Sequence, residues 1–254
     1  MNRSFISEVI TRQPLQENGY YTLTISVDPN MPIPLPGQFC MIKTPESIDP
    51  MLGRPFCVFD FEDGLMTFLI RIMGRGTALL SKLNVGDKVS VLGPLGNGFT
   101  EVKDSQLPIS VIGGMGIASL YMYIKRHGSS AVFYGAKTAG ELLFLGDIKK
   151  YCDNIFISTD DGSSGDRGVI LDSLHRYLLT TKNQKLIYSC GPHGMYKAMA
   201  ERFKGMGLDI RVTLETNMAC GIGGCLGCVV KLNTGFSRVC KEGPVFDLGS
   251  ISFE

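Results

Sequence analysis

The chain has 254 residues, which is enough for one large domain or for two smaller domains that each bury their own core. Lys and Arg total 25 against 24 for Asp and Glu, and this net charge of +1 gives no electrostatic reason to expect a nucleic-acid or membrane partner. The first twenty residues lack the apolar core of a signal peptide, and no later stretch reaches eighteen apolar residues. We therefore expect a cytoplasmic protein without a membrane-spanning segment.

The first hundred residues are organised as short apolar runs of alternating pattern, separated by turn signals such as Pro36-Gly37, Asp63-Gly64 and Gly86-Asp87. The runs are SFISEVI, YYTLTISV, QFCMIK, FCVFDF, LMTFLIRIM and KVSVL. Six strands at hairpin-length spacing predict a small antiparallel six-stranded β-barrel.

From about residue 107 the pattern changes to alternating strand-like and helix-like runs, which predicts an α/β unit with a doubly wound parallel sheet. The strand-like runs are PISVI, AVFYGA, NIFIST, KLIYSC and DIRVTLE, and the helix-like runs are IASLYMYIKRH, GVILDSLHRYLL and GMYKAMAERFKG. From about Thr216 regular periodicity ends and a cysteine-rich loop begins. We predict three domains, a barrel at 1–101, an α/β domain at 102–214 and a small C-terminal subdomain at 215–254 that is too small to fold without a stabilising cross-link or metal centre.

The eight cysteines fall into two groups. Four are scattered through apolar segments, whereas the other four are Cys220, Cys225, Cys228 and Cys240. Their spacing, C-x4-C-x2-C followed by a distant fourth cysteine, is that of plant-type [2Fe–2S] ligands, and the glycines between them allow a loop to wrap closely around a cluster. Structural zinc is the alternative, although zinc sites usually show two pairs of close cysteines.

A second set of residues is suited to a dinucleotide. Arg54 begins a strand as Gly-Arg-Pro-Phe-Cys, and Arg71 ends a later strand just before a Gly-Thr turn at Gly76 and Thr77. An arginine can pair with a pyrophosphate through two hydrogen bonds, and this turn, which leads into the helix-like run TALLSKL, offers backbone N–H groups and the Thr77 hydroxyl to the same phosphates. Each feature alone is better explained by an ordinary surface arginine before a turn, and it is their combination that favours a dinucleotide site.

A third set lies at the ends of predicted parallel strands, where open α/β sheets bind ligands. Glycines follow one strand at Gly113, Gly114 and Gly116, and a second turn follows a later strand at Cys190, Gly191 and Pro192. Asp160 and Asp161 end a third strand, where they could accept hydrogen bonds from ribose hydroxyls and would repel a 2′-phosphate. The pattern favours NAD over NADP, while a plain turn remains possible for the two aspartates.

The sequence resembles the ferredoxin–NADP reductase superfamily, and within it the electron-transfer subunits of NAD-dependent class 1B dihydroorotate dehydrogenases. The motifs RPF, GRGT, GPLGNGF, GGMGIA, TDDGS, CGPHGM, ACGIGGCLGC and VCKEGPVFD carry the resemblance over essentially the whole chain. It implies FAD in the barrel and NAD in the α/β domain. The residues that it implies at FAD are Arg54, Pro55, Phe56, Cys57, Leu69, Ile70, Arg71, Gly76 and Thr77.

The resemblance also implies a function. Electrons from a partner subunit that carries FMN and oxidises dihydroorotate would pass through the [2Fe–2S] cluster and FAD to NAD+, in a heterotetramer of two copies of each subunit. A flavin subunit of an NAD(P)H–ferredoxin oxidoreductase or of a sulfide dehydrogenase is the alternative within redox enzymes. A zinc-stabilised, non-catalytic binding scaffold is the alternative outside them.

One residue departs from the family pattern near the expected flavin ring. Relatives usually have Ser where this chain has Cys57. A thiol is a weaker hydrogen-bond donor than a hydroxyl, so we expect this position to influence the flavin.

Overall fold

The structure, a computed structural model, describes residues 3–15, 19–44, 49–100, 102, 107–181 and 186–253. It divides into two compact units, of which the first comprises residues 1–98, 215–230 and 236–244 and the second comprises 99–214, 231–235 and 245–254. The C-terminal region is therefore shared between the two units. The division into three separately folding domains stays a prediction.

The first unit contains a seven-stranded antiparallel sheet in the order β4-β3-β7-β1-β2-β6-β5. Its elements are β1 Arg3–Pro14, β2 Tyr20–Ser26, β3 Phe39–Lys43, β4 Arg54–Cys57, β5 Asp60–Glu62, β6 Leu65–Arg71, α1 Arg75–Leu80 and β7 Lys88–Leu95. Burial alternates along β7, where Val89, Val91 and Leu95 face the core between more exposed neighbours. This period of two is the reason that these runs form strands around one apolar interior.

The fourth apolar run, FCVFDF, forms parts of two strands instead of one. Its first residues belong to β4, which pairs with β3, and its last residues form β5, which pairs with β6 at the opposite end of the sheet order. Between them, Val58 N–H donates to the Gln38 carbonyl and Phe59 N–H donates to the Thr67 carbonyl, each at 2.9 Å. The chain thus connects the two outer strands of the curled sheet, and this connection closes the barrel.

The second unit is built on a sheet in the order β11-β10-β9-β8-β12-β13-β16, in which only β16 is antiparallel. Its strands are β8 Ile109–Gly113, β9 Ala131–Ala136, β10 Ile155–Thr159, β11 Asp166–Arg167, β12 Leu186–Cys190, β13 Asp209–Thr213 and β16 Val245–Asp247. Its helices are α2 Ile117–His127, α3 Leu145–Ile148, α4 Ile170–Thr180 and α5 His193–Arg202. The strand order reverses direction between β8 and β12, which is where such sheets open a ligand crevice.

The remaining two strands, β14 Val229–Leu232 and β15 Gly235–Arg238, form a hairpin between the third and fourth cysteines of the predicted cluster loop. The hairpin turn is fixed by Asn233, whose side-chain amide donates to the Gly249 carbonyl at 2.8 Å and whose N–H donates to the Ser250 carbonyl at 2.8 Å.

The predicted fold class, an antiparallel barrel with a doubly wound α/β unit and a C-terminal cysteine loop, is confirmed. The three long predicted helices correspond to α2, α4 and α5. In the part of the chain that the structure describes, no helix is long and apolar enough to cross a membrane.

Candidate functional site: a cysteine loop on the barrel and two glycine-rich nucleotide loops

The four clustered cysteines are arranged as two pairs. Cys225 N–H points at the Cys220 sulfur at 3.4 Å, and the sulfurs of Cys228 and Cys240 lie 3.2 Å apart. None of the four forms a disulfide. Among the described residues, no three His, Cys, Asp or Glu side chains group around a single metal position. A [2Fe–2S] cluster needs four thiolates shared between two irons, and two pairs of free thiols fit that requirement.

Cys220 and Cys240, one from each pair, differ in how readily their thiols ionise. Burial acts to raise the pKa of the Cys220 thiol, but backbone N–H groups of Ile222, Gly224 and Cys225 outweigh it and lower the pKa to about 6. Burial and the adjacent Cys228 thiol raise the pKa of Cys240 to about 12. Iron binds thiolates, so Cys220 is prepared for a metal centre, whereas Cys240 must release its proton when the metal binds.

Glycine is required where the cysteine loop meets the barrel. Gly221 has a positive φ of 70°, and a Cβ there would lie 2.7 Å from Met41 Cγ and 3.1 Å from Leu95 Cδ1. Any larger residue would collide with side chains of β3 and β7. The segment between the first two cysteines therefore lies directly on the barrel.

An arginine that the sequence did not single out links the two parts of the loop. Arg238 Nη1 donates to the Gly223 carbonyl at 2.9 Å, and its Nε donates to the Glu242 carboxylate at 3.1 Å. Glu242 also accepts from the Arg238 backbone N–H at 2.8 Å, and the ion pair lowers the pKa of its carboxyl to about 2. Arg238 thus joins the residues around Cys240 to the loop between Cys220 and Cys225. The sequence signal for this contact is the pair of opposite charges at Arg238 and Glu242, which lie four residues apart on either side of Cys240.

In the barrel, the structure brings together Arg54 and Gly76 from the predicted flavin set. A Cβ on Gly76 would lie 2.9 Å from Arg54 Nε, so the guanidinium lies across this glycine, and Arg54 Nη1 donates to the Leu52 carbonyl at 2.7 Å. A small pocket opens beside them, lined by Ile42, Lys43, Thr44, Pro50, Leu52, Arg54, Gly76, Leu79 and Leu80. Two cations and a glycine beside a partly apolar pocket fit the phosphates of a dinucleotide.

The Thr77 hydroxyl forms hydrogen bonds within its own turn. The hydroxyl oxygen accepts from Met73 N–H at 2.9 Å and Gly74 N–H at 3.1 Å, and the hydroxyl donates to the Gly74 carbonyl at 2.9 Å. These bonds close the turn before α1 and make the helix start two residues earlier than the run TALLSKL suggests. The Thr77 carbonyl also accepts from Tyr21 Oη at 3.1 Å. A direct contact between Thr77 and FAD stays a prediction.

The other predicted flavin residues lie on β4 and β6. Pro55, Phe56 and Cys57 are half-buried on β4. Arg71 is exposed at the end of β6, and its guanidinium carbon lies 5.3 Å from the centre of the Tyr20 ring. Leu69 and Ile70 are buried in the barrel core. The structure shows where these residues lie, and their contacts with FAD stay predictions.

In the second unit, the two predicted glycine loops meet. A Cβ on Gly113 would lie 2.8 Å from Pro192 Cδ and 3.2 Å from Gly191 Cα, and a Cβ on Gly116 would lie 1.9 Å from the Cys190 carbonyl oxygen. Gly114, between them, has a positive φ of 51°. The loop after β8 can approach the loop after β12 this closely only because Gly113 and Gly116 lack side chains. Cys190 itself is buried and contributes its backbone.

A buried tyrosine hydrogen-bonds the backbone of the loop after β12. Gly191 N–H donates to Tyr196 Oη at 2.9 Å, and that hydroxyl donates to the Thr213 carbonyl at 2.7 Å. Tyr196 is buried on α5, so the helix, the loop and β13 are connected through one side chain.

The structure distinguishes the two aspartates after β10. Asp161 accepts from Ser163 N–H at 2.9 Å and from Ser163 Oγ at 2.6 Å, and these bonds lower the pKa of its carboxyl. Asp161 therefore stabilises the turn. Asp160 is exposed directly at the end of β10, on the same edge of the parallel sheet as the glycine loops.

These sites have one chemistry in common. A dinucleotide pocket in the barrel, nucleotide loops at the switch point of a parallel sheet and paired cysteines for iron are the components with which a protein converts hydride transfer into single-electron transfer. The class is therefore that of flavin-dependent iron–sulfur electron-transfer proteins.

Comparison with known proteins identifies the family. The family model described as "Iron-sulfur cluster binding domain of dihydroorotate dehydrogenase B" matches residues 215–252. The chain is 34% identical to the dihydroorotate dehydrogenase B (NAD(+)) electron transfer subunit of Clostridium acetobutylicum, over 98% of each chain. It is 35% identical to the subunit of the same name from Geobacillus kaustophilus, over 95% of this chain and 96% of the relative. The chain belongs to this family of electron transfer subunits.

Solved structures agree with that assignment. An NADH-dependent reduced ferredoxin–NADP oxidoreductase superposes with a TM-score of 0.84 at 27% identity, over 97% of this chain and 90% of the other. The ferredoxin–NADP+ reductase of Neisseria gonorrhoeae superposes with a TM-score of 0.65 at 18% identity, over 80% and 92% of the two chains, and shows the shared fold. The predicted family, fold class and function as an oxidoreductase's electron-transfer subunit are confirmed.

Proposed function

We propose that this chain holds FAD in its barrel and a [2Fe–2S] cluster in its cysteine loop, and uses them to pass electrons from a dihydroorotate-oxidising FMN subunit to NAD+. The observation that carries the proposal is the pairing of Cys220 with Cys225 and of Cys228 with Cys240, in a loop that packs on the barrel through Gly221. FAD exchanges two electrons with a nicotinamide and one electron at a time with an iron–sulfur cluster.

The chain's own residues supply binding and orientation. Arg54 and Lys43 line the barrel pocket and would balance the charge of the FAD pyrophosphate, while Gly76 leaves room for the guanidinium of Arg54. Gly113, Gly114, Gly116, Gly191 and Pro192 would carry the phosphates of NAD close to the sheet edge, and Asp160 would bind a ribose hydroxyl.

The partner would be the FMN-containing catalytic subunit of a dihydroorotate dehydrogenase, in a heterotetramer of two copies of each chain. The name shared by the relatives, "electron transfer subunit", supports a catalytic partner. We place the complex in the cytoplasm, where a reducing environment keeps thiols such as those of the eight cysteines, none of which forms a disulfide, in the reduced state.

The test is the visible absorption spectrum of the anaerobically purified chain before and after NADH, with iron and zinc measured on the same sample. Flavin bands on a broad red-brown absorption, about two irons per chain and bleaching by NADH are expected. Co-expression with the FMN subunit should yield dihydroorotate-dependent reduction of NAD+. A colourless protein with one zinc would contradict the proposal, and a coloured protein that associates with no FMN subunit would favour a ferredoxin oxidoreductase instead.

Replacing Cys57 by Ser is expected to leave FAD bound and to change the flavin reduction potential or the rate of hydride transfer. Cys57 lies on β4, opposite Phe39 in the strand pairing, and a hydroxyl donates a stronger hydrogen bond than a thiol. FAD content, potentiometric titration and stopped-flow reduction by NADH measure the three quantities. Identical potentials and rates in Cys57→Ser and the unsubstituted protein would contradict a role for Cys57 at the flavin.

Replacing Asp160 by Ala is expected to weaken discrimination against NADPH by at least about fivefold, because a carboxylate no longer repels the 2′-phosphate. Asp161→Ala is the matched control, since Asp161 holds Ser163 in the turn. Asp161→Ala should change kcat/KM for NADH and for NADPH by the same factor. The ratio of kcat/KM for the two cofactors is the measurement, and a larger change of that ratio in Asp161→Ala would transfer the selective role to Asp161.

A further inference from the structure

The last turn of the barrel makes hydrogen bonds to the segment that follows Cys240. Asn97 follows β7, within the motif GPLGNGF. Its backbone N–H donates to the Gly243 carbonyl at 2.6 Å, and its side-chain Nδ2 donates to the Glu242 carbonyl at 2.9 Å and to the Lys241 carbonyl at 3.3 Å. All three acceptors belong to the residues that directly follow Cys240.

The backbone around Asn97 is shaped for this contact. Asn97 and Pro244 form a β-bridge, and Gly96 has a positive φ of 73°. A Cβ on Gly96 would lie 2.5 Å from Pro244 Cδ and 2.6 Å from the Gly243 carbonyl oxygen. The backbone of the turn after Cys240 thus lies so close to the barrel that a residue with a Cβ would not fit at Gly96.

The turn after Cys240 is held from two sides. Arg238 connects it to Gly223, within the cysteine loop, whereas Asn97 connects it to the barrel. Removing Arg238 would therefore loosen the loop itself. Removing the Asn97 side chain would leave the Arg238 contact in place and would free the turn from the barrel alone.

We propose that Asn97 is a positioning residue that fixes the Cys240 side of the iron–sulfur cluster relative to the barrel, and so sets the electron-transfer step between the cluster and the barrel's flavin. This inference rests on the proposed function. An asparagine suits the role because a single amide nitrogen carries two N–H donors, one for each carbonyl, while an aspartate at this position would present only acceptor oxygens to those carbonyls.

The experiment compares Asn97→Ala and Asn97→Asp with the unsubstituted holoprotein. The matched control is Asn154→Asp, because Asn154 Nδ2 makes a similar exposed bond, to the Ser130 carbonyl at 3.2 Å, in the nucleotide unit. Loss of two hydrogen bonds corresponds to a shift of about five- to thirtyfold in an equilibrium constant. Hydrogen–deuterium exchange of residues 238–244 should accelerate within that range in Asn97→Ala and further in Asn97→Asp, and should not change in Asn154→Asp.

Two further readouts separate positioning from mere stability. In anaerobic stopped-flow experiments, NADH should reduce the flavin of Asn97→Ala at the normal rate, while cluster reduction, followed by its own absorption and by rapid-freeze EPR, should slow several-fold relative to it. The EPR signal of the reduced cluster should also change in shape or in midpoint potential. A purely structural role would lower the melting temperature and leave the ratio of the two rates and the EPR signal as they were.

The outcomes divide clearly. In the first outcome, the protein contains flavin and iron, but Asn97→Asp matches the unsubstituted chain in amide exchange, EPR signal and relative rates. This result would overturn the role of Asn97 and leave the proposed function standing. An unsubstituted protein without flavin or iron would overturn the proposed function and this inference together.

Discussion

Replacing Gly116 by Ala is expected to abolish reduction of the protein by NADH while the barrel keeps its FAD. The new Cβ would lie 1.9 Å from the Cys190 carbonyl oxygen and 2.4 Å from the Cys190 carbonyl carbon. Both atoms belong to the backbone of a central strand, so neither can move away as a flexible side chain would. The loops after β8 and β12 must separate by more than 1 Å, and overpacking of this kind costs about 1–3 kcal/mol or more.

The loss is expected to concentrate at the nucleotide site because Gly116 lies at the contact between the two loops that form it. Flavin fluorescence gives the FAD content, thermal unfolding gives the change in stability, and bleaching by NADH gives the function. Gly146→Ala is the matched control, since Gly146 lies in α3 of the same unit with nothing within 4 Å of a new Cβ. Normal NADH reduction in Gly116→Ala would show that the nucleotide does not use this junction.

The sequence predicted the parts of the site that are local in the chain. Cys220, Cys225 and Cys228 lie within nine residues, and their spacing alone predicted iron–sulfur ligands. Likewise, glycines after an apolar strand predicted the nucleotide loops, because this geometry is confined to a single strand, turn and helix. Local patterns of this kind reflect local geometry.

Contacts between distant segments could not be predicted in this way. Asn97 meets residues 144 and 145 positions away, and no periodicity records such a contact. The break between β4 and β5 was missed for a related reason. The run FCVFDF is apolar except for Asp60, and nothing in it marks a break. The chain changes partners within it because the barrel must close, which is a property of the whole sheet.

Hydrogen bonds in the structure distinguish the roles of side chains that the sequence alone could not separate. Asp160 and Asp161 are equivalent in the sequence, but only the hydrogen bonds from Ser163 reveal that Asp161 stabilises the turn. Thr77 was expected to offer its hydroxyl to a phosphate, and that hydroxyl closes the turn before α1. Residue type and spacing place a side chain at a site, whereas its hydrogen-bond partners decide which part of the site it serves.

Replacing Cys228 by Ser is expected to lower the iron content from about two per chain to near zero. Cys228 is 3% exposed, and its sulfur lies 3.2 Å from that of Cys240, so its loss would remove one thiolate of a pair and leave the other without its neighbour. A serine hydroxyl does not ionise near neutral pH and is a poor iron ligand, whereas a thiol bound to a metal is deprotonated. Iron analysis and the EPR signal of the reduced protein measure the effect.

Cys152→Ser is the matched control for the thiol-to-hydroxyl change. Cys152 is also buried, at 7% exposure, and its thiol donates to the Ser129 carbonyl at 3.3 Å, a bond that a serine can make. The iron content of Cys152→Ser should equal that of the unsubstituted chain. In Cys228→Ser, NADH should still bleach the flavin, because hydride transfer uses the barrel and the nucleotide loops, but electrons should no longer reach an external one-electron acceptor through the cluster. Full iron content in Cys228→Ser would mean that the metal centre does not use the third cysteine of the loop, and would contradict the two-pair arrangement on which the proposed function rests.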